Sequence, residues 1–401
     1  MVALFVAFLL IVQAYLLFNA VFLYYPVAGA LLARFAPRRE AFPSRLPRRF
    51  AVLIAAHNEE AVIGQAVEAI GRQRYPEGAY DVYVVADNCV DSTAMVARRA
   101  GATVLERRSE GGSTKGKALS WLWSQLPARD YDAVVILDAD NQASPEFLAA
   151  VASELGRGHA VVQGLRRAKP AAGGTAGLDG LTELCTHRIG AAGRTRLGVS
   201  GPIMGSGVAY QAALFDRLIR HVGETVVEDC EWQAKLAIEG VYVHWTDRAV
   251  IFDEKTARAS AMGTQRARWV AGRGQVARAY ALPLLRHFFR TGSLTALDMA
   301  AFLLTVPRVL ALAGWLGFWV LALAVPGLPG LLPWGVWFAC LAGFGVYVVL
   351  GLWLDGAPAS SYKVLLTGTL QLPRFAWQMA GASWKALTGA AVKWVPTPHG
   401  R

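Results

Sequence analysis

The sequence predicts an α/β domain with a mostly parallel sheet, set between apolar segments that cross or lie on a membrane. Three observations predict it. Strand and helix patterns alternate from Phe50 to about Asp253, as they do where a parallel sheet carries helices on both faces. An apolar run, Val134 to Leu137, leads directly into Asp138-Ala139-Asp140, so two carboxylates sit at the carboxyl end of a buried strand, where open α/β sheets bind ligands. Finally, the chain is 54% hydrophobic with only 17% charged residues, and Met1 to Leu32 carries no charge at all.

The elements follow in order. Phe50 to Ala55 is a strand, and His57-Asn58-Glu59-Glu60 opens a helix carrying Val62, Ala66 and Ile70. Asp81 to Ala86 is the second strand, after which Asp91-Ser92-Thr93 caps a helix starting near Ala94. Ala102 to Leu105 is a third strand, Lys117 to Leu126 a helix, and Ala133 to Leu137 the fourth strand. The glycines of GLRRAKPAAGGTAGLDG mark a flexible connection. A domain of this size buries one full core. The parts are residues 1–36, a membrane helix; 46–255, the α/β domain; 256–297, interfacial helices; 298–355, two membrane helices; and 356–401, an interfacial or cytosolic end.

A helix needs about 20 apolar residues to cross the ~30 Å hydrocarbon core, so the first segment spans, with a bend or end at Pro26. It lacks the basic start and short apolar run of a signal peptide. Arg34, Arg38, Arg39, Arg45, Arg48 and Arg49 follow it, which places this side in the cytoplasm and the amino terminus outside. Met299 to Val325 is a second span, interrupted by Pro307 and Arg308, and Leu331 to Leu354 is a third. The turn VPGLPG joins them outside, and the basic carboxyl-terminal residues return to the cytoplasm. Leu365 to Leu372 reads as interfacial, because Pro373-Arg374 follows at once.

The net charge of +11 suits anionic lipids or an anionic substrate. Nucleic acid is a poor partner, since the arginines flank apolar segments and no recognised module is present. Cys89, Cys185, Cys230 and Cys340 are widely spaced without CxxC, so free thiols are expected.

No G-x-G-x-x-G follows the first strand and no GxxxxGK[ST] occurs, which argues against dinucleotide-binding and P-loop units. Polar residues stand instead at successive strand ends: Asn58 and Glu59, Asp87, then Asp138 and Asp140. Such side chains can hold a nucleoside, with a hard divalent cation shared between carboxylates and a diphosphate. Asp and Asn are also ordinary turn residues, so the pair by itself stays open.

The order of motifs resembles the membrane-embedded family 2 glycosyltransferases, the group of cellulose, chitin and hyaluronan synthases. The motifs are AAHNEE (Ala55 to Glu60), VVADNCVDSTA (Val84 to Ala94), KGKAL (Lys115 to Leu119), LDADN (Leu137 to Asn141), GSG (Gly205 to Gly207), VEDCE (Val227 to Glu231) and QRARW (Gln265 to Trp269). The resemblance implies a GT-A fold, the nucleotide-diphospho-sugar transferase fold. It also implies an inverting transfer from a nucleotide-sugar, usually UDP-linked, with Mg²⁺ or Mn²⁺.

By the same resemblance Asp140 binds the metal with Asp138 nearer the sugar or ribose, while Ala56, Asn58, Glu59 and Asp87 contact the nucleoside. Lys117 meets a phosphate, unless it is a solvated lysine at a helix start. Asp229 is the general base, and an acid at a helix start also satisfies the dipole. Gly205, Ser206, Glu228, Gln265 and Trp269 line the acceptor side, and Arg268 meets the diphosphate. Gln265, Arg268 and Trp269 share one helix face at i, i+3, i+4, which also suits a membrane-surface helix. Val227 stands where the family triplet has Thr, and so forgoes a hydrogen bond near the base. Trp394 and Thr397 are candidates to close over the nucleotide, although the FxVTxK pattern of processive synthases is absent.

The leading expectation is a bacterial inner-membrane glycosyltransferase, cytoplasmic in its catalytic domain, that extends a saccharide acceptor, as in exopolysaccharide or oligosaccharide synthesis. The close alternative is transfer of one sugar to a lipid, as in ceramide-glucosyltransferase-like relatives. Three spans are few for a polymer channel, which favours a lipid or short acceptor, or a homo-oligomer. A non-catalytic subunit among polysaccharide-export partners and a soluble nucleotidyltransferase are the competing classes.

Overall fold

The computed structural model describes residues 1–35, 48–110, 113–127, 130–168, 175–220, 225, 227–253 and 259–356, with 377, 380, 381 and 384; side chains of 175–179 and 259–267 are not described. The expected roles of Trp394 and Thr397, the interfacial reading of 365–372, and Arg38, Arg39 and Arg45 lie outside these residues.

Helix α1 (Val2–Tyr24) stops before Pro26, which opens α2 (Pro26–Phe35). Proline has no amide hydrogen and a fixed φ, so it suits a helix start better than its interior. The α/β unit then unfolds in sequence order: β1 (Phe50–Ala56), α3 (Ile63–Gly71), β2 (Tyr80–Asp87), α4 (Thr93–Arg99), β3 (Thr103–Arg107), α5 (Lys115–Ser124), β4 (Ala133–Asp138), β5 (Gln142–Ala143), α6 (Phe147–Gly156) and β6 (Val161–Ala168). After α7 (Thr175–Cys185) a π-helical turn over Thr186–Ala191 leads into α8 (Ala192–Arg196). The unit closes with β7 (Val208–Gln211), α9 (Ala212–Ile219), α10 (Glu228–Ile238) and β8 (Val243–Asp253).

The strands form one sheet in the order β3-β2-β1-β4-β7-β6-β8-β5. Its first half is parallel, as expected: β1 pairs with β2 and β4, and β2 with β3. Its second half is mixed, because β7 runs against β4 and β6 while β6 and β8 are parallel. β4 and β6 therefore point the same way, and the carboxyl ends of β1, β2, β4, β6 and β8 gather at one edge.

Each face of the sheet carries its own core. Phe50, Val52, Ile54, Val135 and Leu137 pack with Ile63, Ile70, Phe147 and Leu148 on one face. Ala51, Leu53, Val134 and Ile136 pack with Leu119, Phe215, Trp232 and Leu236 on the other. The alternation follows from the two-residue period of a strand, and apolar residues at both phases are what a sheet covered on both faces requires. Truncating a buried Trp such as Trp232 costs about 3–5 kcal/mol, so α10 is firmly seated.

Two described helical segments are long and apolar enough to cross a membrane, Val2–Phe35 and α14 (Trp334–Asp355). Between them the long α11 (Ala259–Thr291) leads to α12 (Leu294–Leu304) and α13 (Arg308–Ala324). The sequence suggests one interrupted span from Met299 to Val325; α12 and α13 lie there, bent by 70° at the break, and count as a third candidate span if the pair is taken as one. Pro307 supplies no amide hydrogen, and side chains from other helices hold the break. Tyr15 donates to the Leu304 carbonyl at 2.6 Å, Asn19 accepts from the Val306 amide at 3.0 Å, and Arg273 donates to the Thr305 carbonyl at 2.6 Å.

The helical part docks closely on the α/β unit. A Cβ on Gly193 would stand 2.0 Å from the Pro26 carbonyl oxygen, so α2 crosses α8 at a distance only glycine allows. Arg194 pairs with Asp298 at 3.0 Å, and Asp355 accepts from Arg167 at 2.6 Å and Arg188 at 2.7 Å. All four cysteines are free thiols.

Candidate active site

The site is assembled at the carboxyl edge of the sheet. β4 runs into Asp138, and the chain turns at once, the Asn141 amide donating to the Asp138 carbonyl at 3.1 Å. Ser206 pins this turn from behind. Its hydroxyl accepts from the Asp138 amide at 2.9 Å and bonds the Asn141 side chain, while Gln163 donates to its carbonyl at 2.9 Å. Ser206 is completely buried, so it shapes the Asp138–Asp140 turn and offers an acceptor no exposed group. Asn141 donates to Asp140 Oδ1 at 2.8 Å, which fixes the second carboxylate.

Facing this turn is the start of α10, with Glu228 and Asp229 in its first turn. Asp229 Oδ1 accepts from the Cys230 amide at 2.7 Å. Gly205, at φ 72°, lies under it, and a Cβ there would come within 3.2 Å of Asp229 Oδ2 and 3.9 Å of Lys115 Nζ. α10 is clamped on its far side by α11 and α12 through Val227, Ala234, Val276 and Met299. Glu231 strengthens this clamp by accepting from Tyr280 at 3.2 Å and Thr225 at 2.8 Å.

A lysine bridges the two acidic groups. Thr114 caps α5 by accepting from the Lys117 amide at 3.2 Å, and Lys115 at that start reaches the sheet edge. Lys115 Nζ donates to Asp138 and, at 2.6 Å, to the Gly205 carbonyl. Burial alone would lower its pKa, but Asp138, Glu228 and Asp229 outweigh that and hold it raised. Burial pushes the Glu228 carboxyl up to about 7 against the pull of Lys115, with Asp229 and Asp138 adding to the rise. Asp229 is likewise raised, by burial first. Glu228 and Asp229 resist ionising together.

Arg268 of α11 looks onto the same cluster. Its Nε is buried with no hydrogen-bond partner, and burial lowers its pKa despite the nearby Glu228, Asp138 and Asp229. A buried guanidinium nitrogen without an acceptor is costly and marks a place for an anionic group. Trp269 beside it is 44% exposed. Gln265 lies in α11, and its side chain is not described. Arg166 of β6 stands behind Asp138, 3.9 Å from it, with Glu183 at 2.5 Å and Asp253 at 3.2 Å.

The other expected residues form the floor beside β1 and β2. Ala56 ends β1 and is buried. Asp87 is buried and paired with Arg107 Nη1 at 2.8 Å. Asn58 takes the left-handed conformation at φ 57° and accepts from the Val90 amide at 2.9 Å. The Glu59 amide donates to Thr93 at 2.7 Å, and Nδ1 of His57 donates to the Asp87 carbonyl at 2.6 Å. The Asn58 side chain thus ties two loops together at the edge of this floor. Lys115, Arg107 and Arg166 were missed from sequence; only Lys115 had a signal, in KGKAL.

The oxygen-only donors at Asp138 and Asp140, among carboxyls that repel one another, fit a hard divalent cation. Lys115 enters the same group from α5, in contact with Asp138, and Arg268 looks onto it from α11.

Comparison with known proteins agrees. The family model "Glycosyltransferase like family 2" matches residues 47–272. The chain is similar to the beta-monoglucosyldiacylglycerol synthase of Nostoc sp., 26% identical over 69% of this chain and 59% of that one. It is also similar to the probable glycosyltransferase YdaM of Bacillus subtilis, 25% identical over 60% of this chain and 58% of that one. The chain therefore spans less than two thirds of these relatives. Among solved structures, the mannosyltransferase PcManGT of Pyrobaculum calidifontis, in complex with GDP-Man and Mn2+, superposes with a TM-score of 0.60. That match is 18% identical and covers 94% of this chain and 99% of that one, a likeness of fold.

Proposed function

Because this chain belongs to the family 2 glycosyltransferases, we propose that it transfers one sugar from a nucleotide-sugar, UDP-linked by preference, to a lipid acceptor at the membrane surface. The observation that carries the reading is the convergence of Asp138, Glu228 and Asp229 with Lys115 and Arg268 under α11. In this reading Ala56, Asn58, Glu59 and Asp87 form the nucleoside floor. Mg²⁺ or Mn²⁺ held by Asp138 and Asp140 would neutralise charge on the leaving diphosphate. Lys115 and Arg268 meet that diphosphate, and the unpartnered Nε of Arg268 gains its acceptor there.

Asp229 takes the proton of the acceptor hydroxyl, which attacks the anomeric carbon from the face opposite the diphosphate and inverts it. Its raised pKa suits that role, since a base works best with a pKa near the operating pH. The Cys230 amide and Gly205 fix its orientation. Glu228, Trp269 and Gln265 face the acceptor.

The lipid acceptor is supported by the packing of α10 against the arginine-rich α11 and the apolar α12, and by the diacylglycerol named for the Nostoc relative. α1–α2, the α12–α13 pair and α14 anchor the enzyme in the bilayer, with the catalytic domain on the cytoplasmic side and the amino terminus outside. Extension of a saccharide is the second reading, kept by the resemblance of QRARW to the polymer synthases.

The test is nucleotide-diphosphate release by detergent-purified protein from UDP- and GDP-sugars with Mn²⁺ or Mg²⁺, with diacylglycerol or oligosaccharides as acceptors. One sugar on the lipid is expected, lost with EDTA or Asp140→Asn. A ladder of saccharide sizes would replace the lipid reading with the polymer one. Undiminished turnover in Asp229→Asn would remove the assigned base.

A further inference from the structure

A second group of metal-ligating side chains lies at the opposite edge of the sheet. Glu154 is in the last turn of α6, His159 follows it on the turn into β6, and His244 is the second residue of β8. The register sets Val162 beside His244 at this end, and Ala168 beside Asp253 at the catalytic end. Glu154 Oε2 is 3.5 Å from His244 Nε2 and 4.0 Å from His159 Nε2. All three ligand atoms lie within 4.8 Å of one another. Glu154 is buried, and the two imidazoles are part-exposed at 29% and 20%. Arg157 holds the other carboxylate oxygen, Oε1, at 2.5 Å, so Oε2 is the one turned to the histidines.

These separations are close to what an ion would impose. Bonds of about 2.0–2.2 Å in a tetrahedral site put neighbouring ligand atoms roughly 3.3–3.6 Å apart. His244 already meets that distance, and His159 lies a few tenths of an ångström beyond it. The imidazoles are stacked, centroids 3.8 Å apart and planes 7° from parallel. A ligated ion must lie in the plane of each ring, so one ring has to turn. His159 follows Gly158, at φ 95°, and at 29% against 20% is the more exposed of the two rings, so it is the one to turn.

We propose that Glu154, His159 and His244 form a binding site for an imidazole-preferring divalent transition ion of the Zn²⁺ class, with water as the fourth ligand. Two imidazoles and one carboxylate select such an ion over Mg²⁺, which prefers all-oxygen donors. It is distinct in place and in ligand chemistry from the proposed cation at Asp138 and Asp140. Bound there, the ion staples the α6–β6 turn to the start of β8 and stabilises the native state by mass action.

The experiment is a Co²⁺ titration of the full chain, purified in detergent, stripped with EDTA and dialysed. A four-coordinate imidazole site gives an intense visible band, whereas an all-oxygen six-coordinate site gives a weak one. One equivalent should saturate the band, Zn²⁺ should abolish it, and Zn²⁺ should raise the Tm. His244→Ala and His159→Gln should each lose both effects, and the second keeps a polar side chain at a part-exposed position. Absence of the band, or a band kept by both histidine variants and lost in Asp140→Asn, would overturn the site.

Discussion

Gly205 leaves Asp229 only the room a glycine can give: a Cβ would stand 3.2 Å from Oδ2, at a backbone φ of 72°. Gly205→Ala therefore meets both a strained conformation, costing on the order of 1 kcal/mol, and a displaced carboxylate. The contact asks the carboxylate to give by only a few tenths of an ångström, less than the ~1 Å that costs on the order of 10²-fold in rate. The expected result is a kcat lowered by less than that factor with only a small fall in Tm, measured by nucleotide-diphosphate release and thermal melting.

Lys115 and Lys117 separate by function. Lys115→Met removes the cation between Asp138 and the Glu228–Asp229 pair. With that charge gone, the acids hold protons to higher pH, so the acidic limb of the pH–rate profile moves upward and turnover at neutral pH falls. Lys117→Met is expected to leave the limb in place. Equal shifts in both variants would show that the lysine contribution is general surface charge.

The same two residues show what the sequence could and could not reveal. The alternation of strands and helices is a local pattern and reads correctly; Asp138–Asp140 and the acids of VEDCE are local patterns that the fold brings to one sheet edge. The start of α5 depends on Thr114 capping two residues earlier than expected, and that earlier start is what brings Lys115 to the sheet edge. Ser206 is a longer-range case. GSG is visible as a motif, but that its serine is sealed behind Asp138 by Asn141 and Gln163 follows only from β7 running against β4 and β6. The 70° bend at Pro307 was signalled by the proline, while the angle is set by Tyr15, Asn19 and Arg273.

Ser206→Ala should act through the cation. It leaves the buried Asp138 amide and Asn141 side chain without the hydroxyl, a loss of about 1–3 kcal/mol for an unsatisfied buried group. The Asp138–Asp140 turn loosens, so the Mn²⁺ concentration for half-maximal activity should rise several-fold while the donor KM at saturating Mn²⁺ changes little. A metal dependence identical to wild type would leave Ser206 a purely packing residue.

Glu228 gives a stability prediction with a definite sign. Its carboxyl is raised from the ordinary 4.5 to about 7 in the folded protein, by burial first. The folded state thus holds a proton that the unfolded state has released between those values, and stability falls as pH rises through that window. Below about 4.5 the contribution is fully present, and above 7 it is gone because a charged carboxylate must be kept buried beside Asp229. Glu228→Gln has no charge to bury at any pH. The Tm difference between variant and wild type should therefore be more positive at pH 8 than at pH 5 by a few degrees, about 2–4 °C for each kcal/mol in a domain of this size. Lys115 offsets part of the effect in wild type, so Lys115→Met should lower the Tm less in the Glu228→Gln background than it does alone. A pH-independent Tm difference would mean that Glu228 is ionised in the folded protein throughout this range and that Asp229 alone carries the shared proton.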